Sequence, residues 1–257
     1  MSDVKYYFFN YMDQASTEFT ASTANAQYPV SNLKEPHSTR VWRSTASSAN
    51  VVIDIKTIEA IDSVLIRPSK DGFGFTGDLT IEGNATANFS SPAFSTTLAV
   101  NRERNLGLVT FASAQSYRFW RISGTGTGYL ELANIYLGAY FIAGKNVSFN
   151  WDYENKDLSD STTNRYGQEF IDEIGNRKFI AADVKLLENA DGDIETFNDF
   201  IDYVGTTKPF WIIMDEDALF SPDKEFFGGQ FYFTSRPTIK NVLFAIYDSS
   251  MRLKECI

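Results

Sequence analysis

Side chains that could perform nucleophilic, acid–base or metal chemistry are few in this chain. His37 is the only histidine and Cys256 the only cysteine. A histidine-dependent triad needs a nucleophile, and neither a cysteine nor a G-x-S-x-G motif accompanies His37. Zinc sites need several His or Cys ligands, so counting excludes them. We therefore predict that His37 is a surface loop residue and that Cys256 is an inert thiol, and we expect no metal site and no cofactor.

The carboxylates are numerous but form no recognisable catalytic pattern. Residues 189–195 look superficially like a calcium loop, yet the glycine falls two positions early for an EF-hand and the distal glutamate is missing. Helix capping by Asp191 and Asp193 is the preferred interpretation. The densest cluster, Asp215–Asp217, follows a predicted strand and is interpreted as a solvated turn. A paired-carboxylate glycosidase stays open among 33 acidic residues, but we predict that the protein is not an enzyme.

Four aromatic or cationic residues are candidates for ligand binding. Trp42 and Arg43 offer an aromatic face for sugar stacking and a guanidinium for hydroxyl contacts. The alternative is that Trp42 closes the end of the core and Arg43 pairs locally. Phe73 and Phe75 lie in a glycine-rich loop, Lys70–Phe75, where they look exposed. This loop is predicted either to meet a ligand or a protein neighbour, or to be a partly buried Ω-loop.

Composition and charge limit the classes of protein that these residues can belong to. Hydrophobic residues make up 43% and aromatic residues 15% of 257 residues, which excludes a disordered chain and allows two cores. Residues 1–142 carry 11 basic and 12 acidic side chains, whereas residues 143–257 carry 12 and 21. The shift supports a domain boundary near residue 142. Because phosphate binding needs a basic face, nucleic acid is excluded as a partner.

No targeting or membrane segment is recognisable in the sequence. The N-terminus opens with charged residues and has no signal-peptide core, and no stretch of about 18 apolar residues occurs. We therefore expect synthesis in the host cytoplasm and no membrane insertion. A single cysteine allows no internal disulfide, so the fold must hold by packing and hydrogen bonds.

The first half of the chain is predicted to be all-β. Residues 15–50 are rich in turn-forming types, and no helical periodicity stands out between residues 50 and 140. Six or more short strands at this spacing indicate a sandwich or jelly roll. Trp120 lies in the middle of an alternating strand and is predicted to be core. The predicted strands cover residues 51–55, 60–67, 79–82, 106–111, 117–122 and 129–138.

Five short pieces in the same order resemble the discoidin-like (coagulation factor 5/8 type C) galactose-binding domain. The resemblance covers about residues 20–140 and implies a jelly-roll domain, placed at 15–142, whose loops at one end often bind glycans or lipids. The pieces are Tyr28–Asn32, Arg40–Ser44, Val51–Ile55 with Ile61–Val64, Tyr117–Ile122 and Leu130–Leu132.

The second half mixes predicted strands with one helix. Ile194, Phe197, Phe200, Ile201 and Val204 recur at helical spacing, with Asp193 as the N-cap and Gly205 at the C-terminal end. One face of the strand at 178–186 would carry Ile180, Ala182, Val184 and Leu186. Residues 154–168 are polar and are interpreted as a long loop. The other predicted strands cover residues 147–153, 209–214, 226–234 and 241–247.

This order resembles the minor tail protein M of lambda-like phages and the barrel of distal tail proteins. Three features carry the resemblance: Phe149-Asn150-Trp151, the "DIETFNDFIDYVG" helix followed by "KPFWIIMD", and a final pair of strands. It implies a small split β-barrel at residues 143–257 that forms a ring joining the tail tube to the tip hub, with residues 1–14 as a possible added strand.

Two functions follow as expectations. The first is a structural protein of a phage tail tip or baseplate, located in the virion, forming a trimer or hexamer and contacting the tail tube, hub and fibre. The first domain would decorate the outside of that ring. The alternative is a module that binds a host glycan through Trp42, Arg43, Phe73 and Phe75. Loops 154–168 and 215–225 are the predicted contacts between subunits.

Overall fold

A computed structural model describes residues 3–35, 39–69, 71–143, 151–166, 168–172, 175–188, 193–243 and 246–256. Its strands far outnumber its helices, so the predicted class, mainly β with a single long helix, is confirmed. The strands are β1 Lys5–Tyr7, β2 Glu18–Ala21, β3 Trp42–Arg43, β4 Ser48–Arg67, β5 Asp78–Asn84, β6 Phe94–Asn101, β7 Leu106–Thr125, β8 Glu131–Leu132, β9 Asn134–Gly138, β10 Tyr140–Ile142, β11 Asp152–Asp157, β12 Asp160–Thr163, β13 Glu169–Asp172, β14 Asn176–Glu188, β15 Phe210–Ile213, β16 Gly228–Phe233, β17 Thr238–Leu243 and β18 Ile246–Glu255, and the helices are α1 Asp193–Val204 and α2 Glu216–Leu219.

The chain divides into two compact units. The first unit comprises residues 9–140 with 219–222, and the second comprises residues 1–8, 141–218 and 223–257. The N-terminal segment belongs to the second unit because β1 pairs antiparallel with β15, with Lys5 opposite Ile213 and Tyr7 opposite Trp211. The first unit is thus an insertion between β1 and the rest of the second unit.

Two 20-residue strands, β4 and β7, organise the first unit. The early part of β4 pairs with β2 and with the end of β7, whereas its later part pairs with β9 and with the start of β7. The ladder between β4 and β7 shifts register after Asp54, where Lys56 has a φ of 66°. Each long strand therefore contributes to both faces of a jelly-roll sandwich. The prediction of separate strands at 51–55 and 60–67, and at 106–111 and 117–122, was wrong because bulged residues interrupt the alternation without ending the strand.

Trp120 lies at the centre of the core of the first unit, as predicted. Its side chain is fully buried, and its ring is stacked on Phe111 with 5.9 Å between centroids and 4° between planes. Phe94 and Tyr117 meet the same ring edge-on at 6.1 and 6.0 Å. The indole Nε1 donates to the carbonyl oxygen of Tyr117 at 3.1 Å, which satisfies the polar atom of the buried ring.

The second unit is built on an eight-stranded sheet. Its order is β10-β1-β15-β16-β18-β14-β11, and β17 pairs with β18 beside that path. Within the described residues β10 and β11 lie at the two ends of the sheet, and no pairing joins them. The predicted helix is confirmed as α1, whose five predicted apolar residues are all buried. Gly205, at a φ of 54°, follows its last residue.

Two predicted segments of the second unit differ from the structure. The predicted loop at 154–168 instead contains most of β11 and all of β12. Every side chain of these two strands is exposed, so no buried face produces the alternation that marks a strand. In β14 a bulge between Val184 and Leu187 places Leu187 in the core. The side chain of Leu186, which was predicted to share this face, is not among those that the structure describes.

Candidate functional site

Three loop segments of the first unit meet around the short ladder between β3 and β8. In this ladder Trp42 lies opposite Leu132 and Arg43 lies opposite Glu131. The Glu131 amide donates to the carbonyl oxygen of Phe73 at 3.2 Å, and the Arg43 amide donates to that of Tyr28 at 3.2 Å. These backbone hydrogen bonds bring the loops before β3, before β5 and after β7 to one place.

Arg43 lies between two aromatic rings on this surface. Its guanidinium carbon is 4.3 Å from the ring centroid of Tyr28 and 4.5 Å from that of Tyr129. Its Nε donates to Oε2 of Glu131 in an ion pair. The Glu131 side chain is 3% exposed and the Arg43 side chain 26% exposed. The hydrogen bond to Glu131 raises the pKa of Arg43, so this guanidinium is a permanent cation.

Tyr129 is the solvent-facing member of this arrangement, which we call the Tyr28–Arg43–Tyr129 stack. It is 40% exposed, whereas Tyr28 is half-buried. A flat, partly exposed aromatic ring backed by a cation combines an apolar face with hydrogen-bond donors at its rim. Sequence analysis identified Arg43 but neither tyrosine. Tyr129 directly follows the Gly-Thr-Gly-Thr-Gly turn. An aromatic residue next to a glycine-rich turn was the sequence feature that could have identified it.

The other three predicted ligand-binding residues are buried. Trp42 is 0% exposed, and its Nε1 donates to the carbonyl oxygen of Thr23 at 3.0 Å. It closes the core, which is the alternative weighed for it from the sequence. Phe73 and Phe75 are 3% and 4% exposed and pack against each other edge-on at 6.4 Å. Both phenylalanines look exposed from the sequence, but their burial agrees with the partly buried Ω-loop, the alternative weighed for this segment. A sugar ring approaching from solvent meets none of these three faces, and their predicted binding role has not been tested.

Two glycines explain why this loop folds inward. Gly74 has a φ of 71° and Gly128 a φ of 94°, a region that favours glycine. A Cβ on Gly128 would lie 2.3 Å from the carbonyl oxygen of Gly74, and a Cβ on Gly74 would lie 2.5 Å from the Tyr129 ring. The backbones of the two turns therefore pack directly on each other, which turns the phenylalanines toward the core and holds the Tyr129 ring in place.

The remaining candidates for chemistry have structural roles or lie outside the described residues. Asp215 accepts from the amides of Asp217 at 3.1 Å and Ala218 at 3.3 Å and so caps α2, which begins at Glu216. The prediction of a solvated turn at 215–217 was therefore wrong. The Cys256 thiol is buried, 3.5 Å from the hydroxyl of Tyr232. Burial is the main cause that raises the pKa of Tyr232 to about 12. His37 and Asp191 lie outside the described residues.

Two features are absent from the part of the chain that the structure describes. Among the residues described, no group of three or more His, Cys, Asp or Glu is placed to hold a metal ion. None of the helices described is long and apolar enough to cross a membrane.

Comparisons with known proteins give a likeness of fold. No family model matches the chain, and no curated protein matches it. Among solved structures, the chain is similar to the family 32 carbohydrate-binding module of C. perfringens NanJ in complex with galactose. That match has 15% identity and a TM-score of 0.43 and covers 53% of this chain and 99% of the other. These comparisons do not test the predicted likeness of residues 143–257 to phage tail proteins, which stays a prediction.

Two further structures give similar values. A fucose-binding module of Streptococcus pneumoniae has 15% identity and a TM-score of 0.43 over 52% of this chain and 99% of the other. The lectin domain of lectinolysin complexed with Lewis B antigen has 12% identity and a TM-score of 0.43 over 51% of this chain and 96% of the other. In each match the likeness covers about half of this chain.

Proposed function

We propose that the first unit binds glycan at the Tyr28–Arg43–Tyr129 stack. The observation that carries the proposal is the partly exposed Tyr129 ring held against the guanidinium of Arg43. Sugars present a C–H face that packs on aromatic rings and a rim of hydroxyls that need hydrogen-bond partners. The Tyr129 ring would pack on the C–H face of the sugar, and the guanidinium of Arg43 would donate hydrogen bonds to the hydroxyls.

The charge of the site favours a neutral sugar. Glu131 is almost fully buried and already neutralises the cation of Arg43, so an anionic sugar gains little net Coulomb attraction here. The Glu131 carboxylate accepts from Nε, which directs the terminal nitrogens of the guanidinium toward a ligand. Host-surface adhesion is the role that this binding would serve.

Tyr129→Ala is expected to weaken glycan binding about tenfold without unfolding the first unit, because one exposed stacking face is lost. The measurement is a glycan array on the full chain followed by titration calorimetry with the best ligand. Ile58→Ala is the matched control, since Ile58 is 67% exposed in the same unit and should leave the affinity unchanged. A silent array with the folded wild-type chain would contradict the glycan role. Equal affinity of both variants would contradict the site.

A second candidate function is structural, and the second unit favours it. We propose that the chain assembles into a ring of a phage tail tip or baseplate, with the tail tube, hub and fibre as partners. The supporting observation is β11, a sheet-end strand with all six side chains exposed, followed by the equally exposed β12. The open edge of an end strand can pair with another chain, and the charged side chains of β11 restrict such pairing to a complementary partner.

The location of the protein tests this assembly role. Quantitative mass spectrometry of purified phage particles is expected to find the chain at three or six copies per virion, as a ring requires. A preparation of tails that lacks the chain would contradict the role in the virion. The glycan proposal would be unaffected by that result.

A further inference from the structure

Beyond the eight-stranded sheet, β12 and β13 form a separate two-stranded hairpin, which we call the arm. The arm continues the ladder between β11 and β14: Asp157 lies opposite Asn176, the Leu158 amide donates to the carbonyl oxygen of Gly175 at 3.0 Å, and Asp160 lies opposite Asp172. All four side chains of β12 are exposed. Because a lone two-stranded hairpin is marginally stable in water, a partner surface would stabilise this one.

The tip of the arm carries a preorganised aromatic–cation pair. Tyr166 is 73% exposed, and the guanidinium carbon of Arg165 lies 4.7 Å from its ring centroid. Asn164 fixes the turn, since its Oδ1 accepts from the amides of Tyr166 at 2.9 Å and Gln168 at 3.1 Å. An aromatic side chain held in this way loses little conformational entropy on binding, which is typical of residues that anchor interfaces.

A groove of matching chemistry lies on the outer face of the same sheet. Ile180 and Ala182 point into the core, so Ala181 between them points outward. Ala181 lies opposite Asp152 on one neighbouring strand and opposite Arg252 on the other. The small side chain leaves a groove of about 450 Å³ between the two charges, and its lining includes Asp152, Glu154, Phe179, Ala181, Thr234 and Arg252.

We propose that the arm tip of one copy occupies this groove in a second copy. The Tyr166 ring would pack on Phe179 and Ala181, and Arg165 would face the carboxylates of Asp152 and Glu154. The arm leaves the sheet at Asp157, so its tip lies roughly eleven residues beyond Glu154. Because the hairpin continues the ladder of β11 with β14, each residue carries the tip about 3.3 Å further from the groove of its own chain.

This contact joins two different surfaces and is therefore heterologous. Repeating a heterologous contact closes a ring or extends a fibre, so the inference rests on the assembly role proposed above and names the surfaces that would carry it. The second half of the chain is strongly acidic, with 12 basic and 21 acidic residues. The groove carries two carboxylates, Asp152 and Glu154, against one guanidinium, Arg252, so a cation at the tip reduces that repulsion where two copies meet.

Cross-linking tests the contact directly in the full chain. Starting from Cys256→Ser, one preparation carries Gln168→Cys, an exposed position of the arm tip that leaves Arg165 and Tyr166 intact, and another carries Ala181→Cys. Oxidation of the mixture is expected to give a covalent heterodimer, because the tip of one chain would bring its thiol to the groove of the other. The matched control replaces Gln168→Cys with Ile58→Cys, an exposed position in the other unit, and should give none. Failure of the first mixture to cross-link at the highest soluble concentration overturns the proposal.

Complementation supplies a second measurement. A tip variant, Arg165→Ala with Tyr166→Ala, and a groove variant, Ala181→Phe, should each be monomeric by native mass spectrometry with an unchanged Tm. Their mixture should form a heterodimer and nothing larger, because only one intact tip and one intact groove remain. Oligomers that persist in either variant overturn the tip–groove contact but leave the assembly role standing. A monomeric wild type overturns the contact, and absence from virions overturns the assembly role itself.

Discussion

Trp120→Ala is expected to lower the free energy of unfolding of the first unit by about 3–5 kcal/mol. The ring is fully buried among Phe94, Phe111 and Tyr117, and its removal leaves a cavity that the bent strands β4 and β7 cannot close. The loss is a large share of the total stability of one domain. Urea unfolding followed by hydrogen exchange should show early loss of protection in residues 9–140 while residues 151–256 keep theirs.

Phe200→Ala is the reciprocal control. Phe200 is equally buried and lies within 5.3 Å of the rings of Phe8, Phe210 and Phe233 in the second unit. The substitution should remove hydrogen-exchange protection from the second unit and leave that of the first unit unchanged. If either variant unfolds both units in one transition, the two units do not fold independently, and a division of the chain near residue 140 has no thermodynamic meaning.

Arg43→Ala is expected to destabilise the first unit by about 3 kcal/mol, which is the lower end for one partner removed from a buried ion pair. The Glu131 carboxylate, 3% exposed, would keep its charge without a cation, whereas the Arg43 side chain is itself 26% exposed. Chemical denaturation of the variant and of the wild-type chain measures the difference.

A second substitution separates charge from packing. Adding Glu131→Gln to Arg43→Ala removes the uncompensated carboxylate and should recover much of the lost stability. If the double variant is as unstable as the single one, the cost comes from the lost packing between Tyr28 and Tyr129 instead. Glu131→Gln alone should lower the free energy of unfolding less than Arg43→Ala does. The reason is that an unpaired guanidinium can be solvated, whereas the unpaired Glu131 carboxylate is buried.

Short-range sequence patterns predicted the helix and the strands that have one buried face. The helix at Asp193–Val204 was found because apolar spacing, an acidic first turn and a terminal glycine agree with one another. Strands with one buried face were found because they alternate. The continuity of β4 and β7 was missed, since it depends on pairing between residues far apart in the chain. The strand β6 was also missed because Ser and Thr dominate its first half.

The candidate site was predicted only in part. Arg43 was identified by residue type, and it does lie at the surface where three loops meet. The exposed or buried state of Phe73, Phe75 and Trp42 depends on how two glycine turns pack against each other. That packing involves residues 74 and 128, more than fifty positions apart, so no short window of sequence contains it. Strands without a buried face, as in the arm, give no periodic signal.

The insertion of the first unit between β1 and β10 has a consequence for the order of events during synthesis. Strand β1 pairs with β10 and with β15, so residues 5–7 cannot pair until strands more than a hundred positions later have been made. An unfolded loop of that length opposes closure by several kcal/mol of chain entropy. Once residues 9–140 have folded, that loop is already compact. Folding of the first unit thus assists the second, which would complete its sheet only once β18 has emerged from the ribosome.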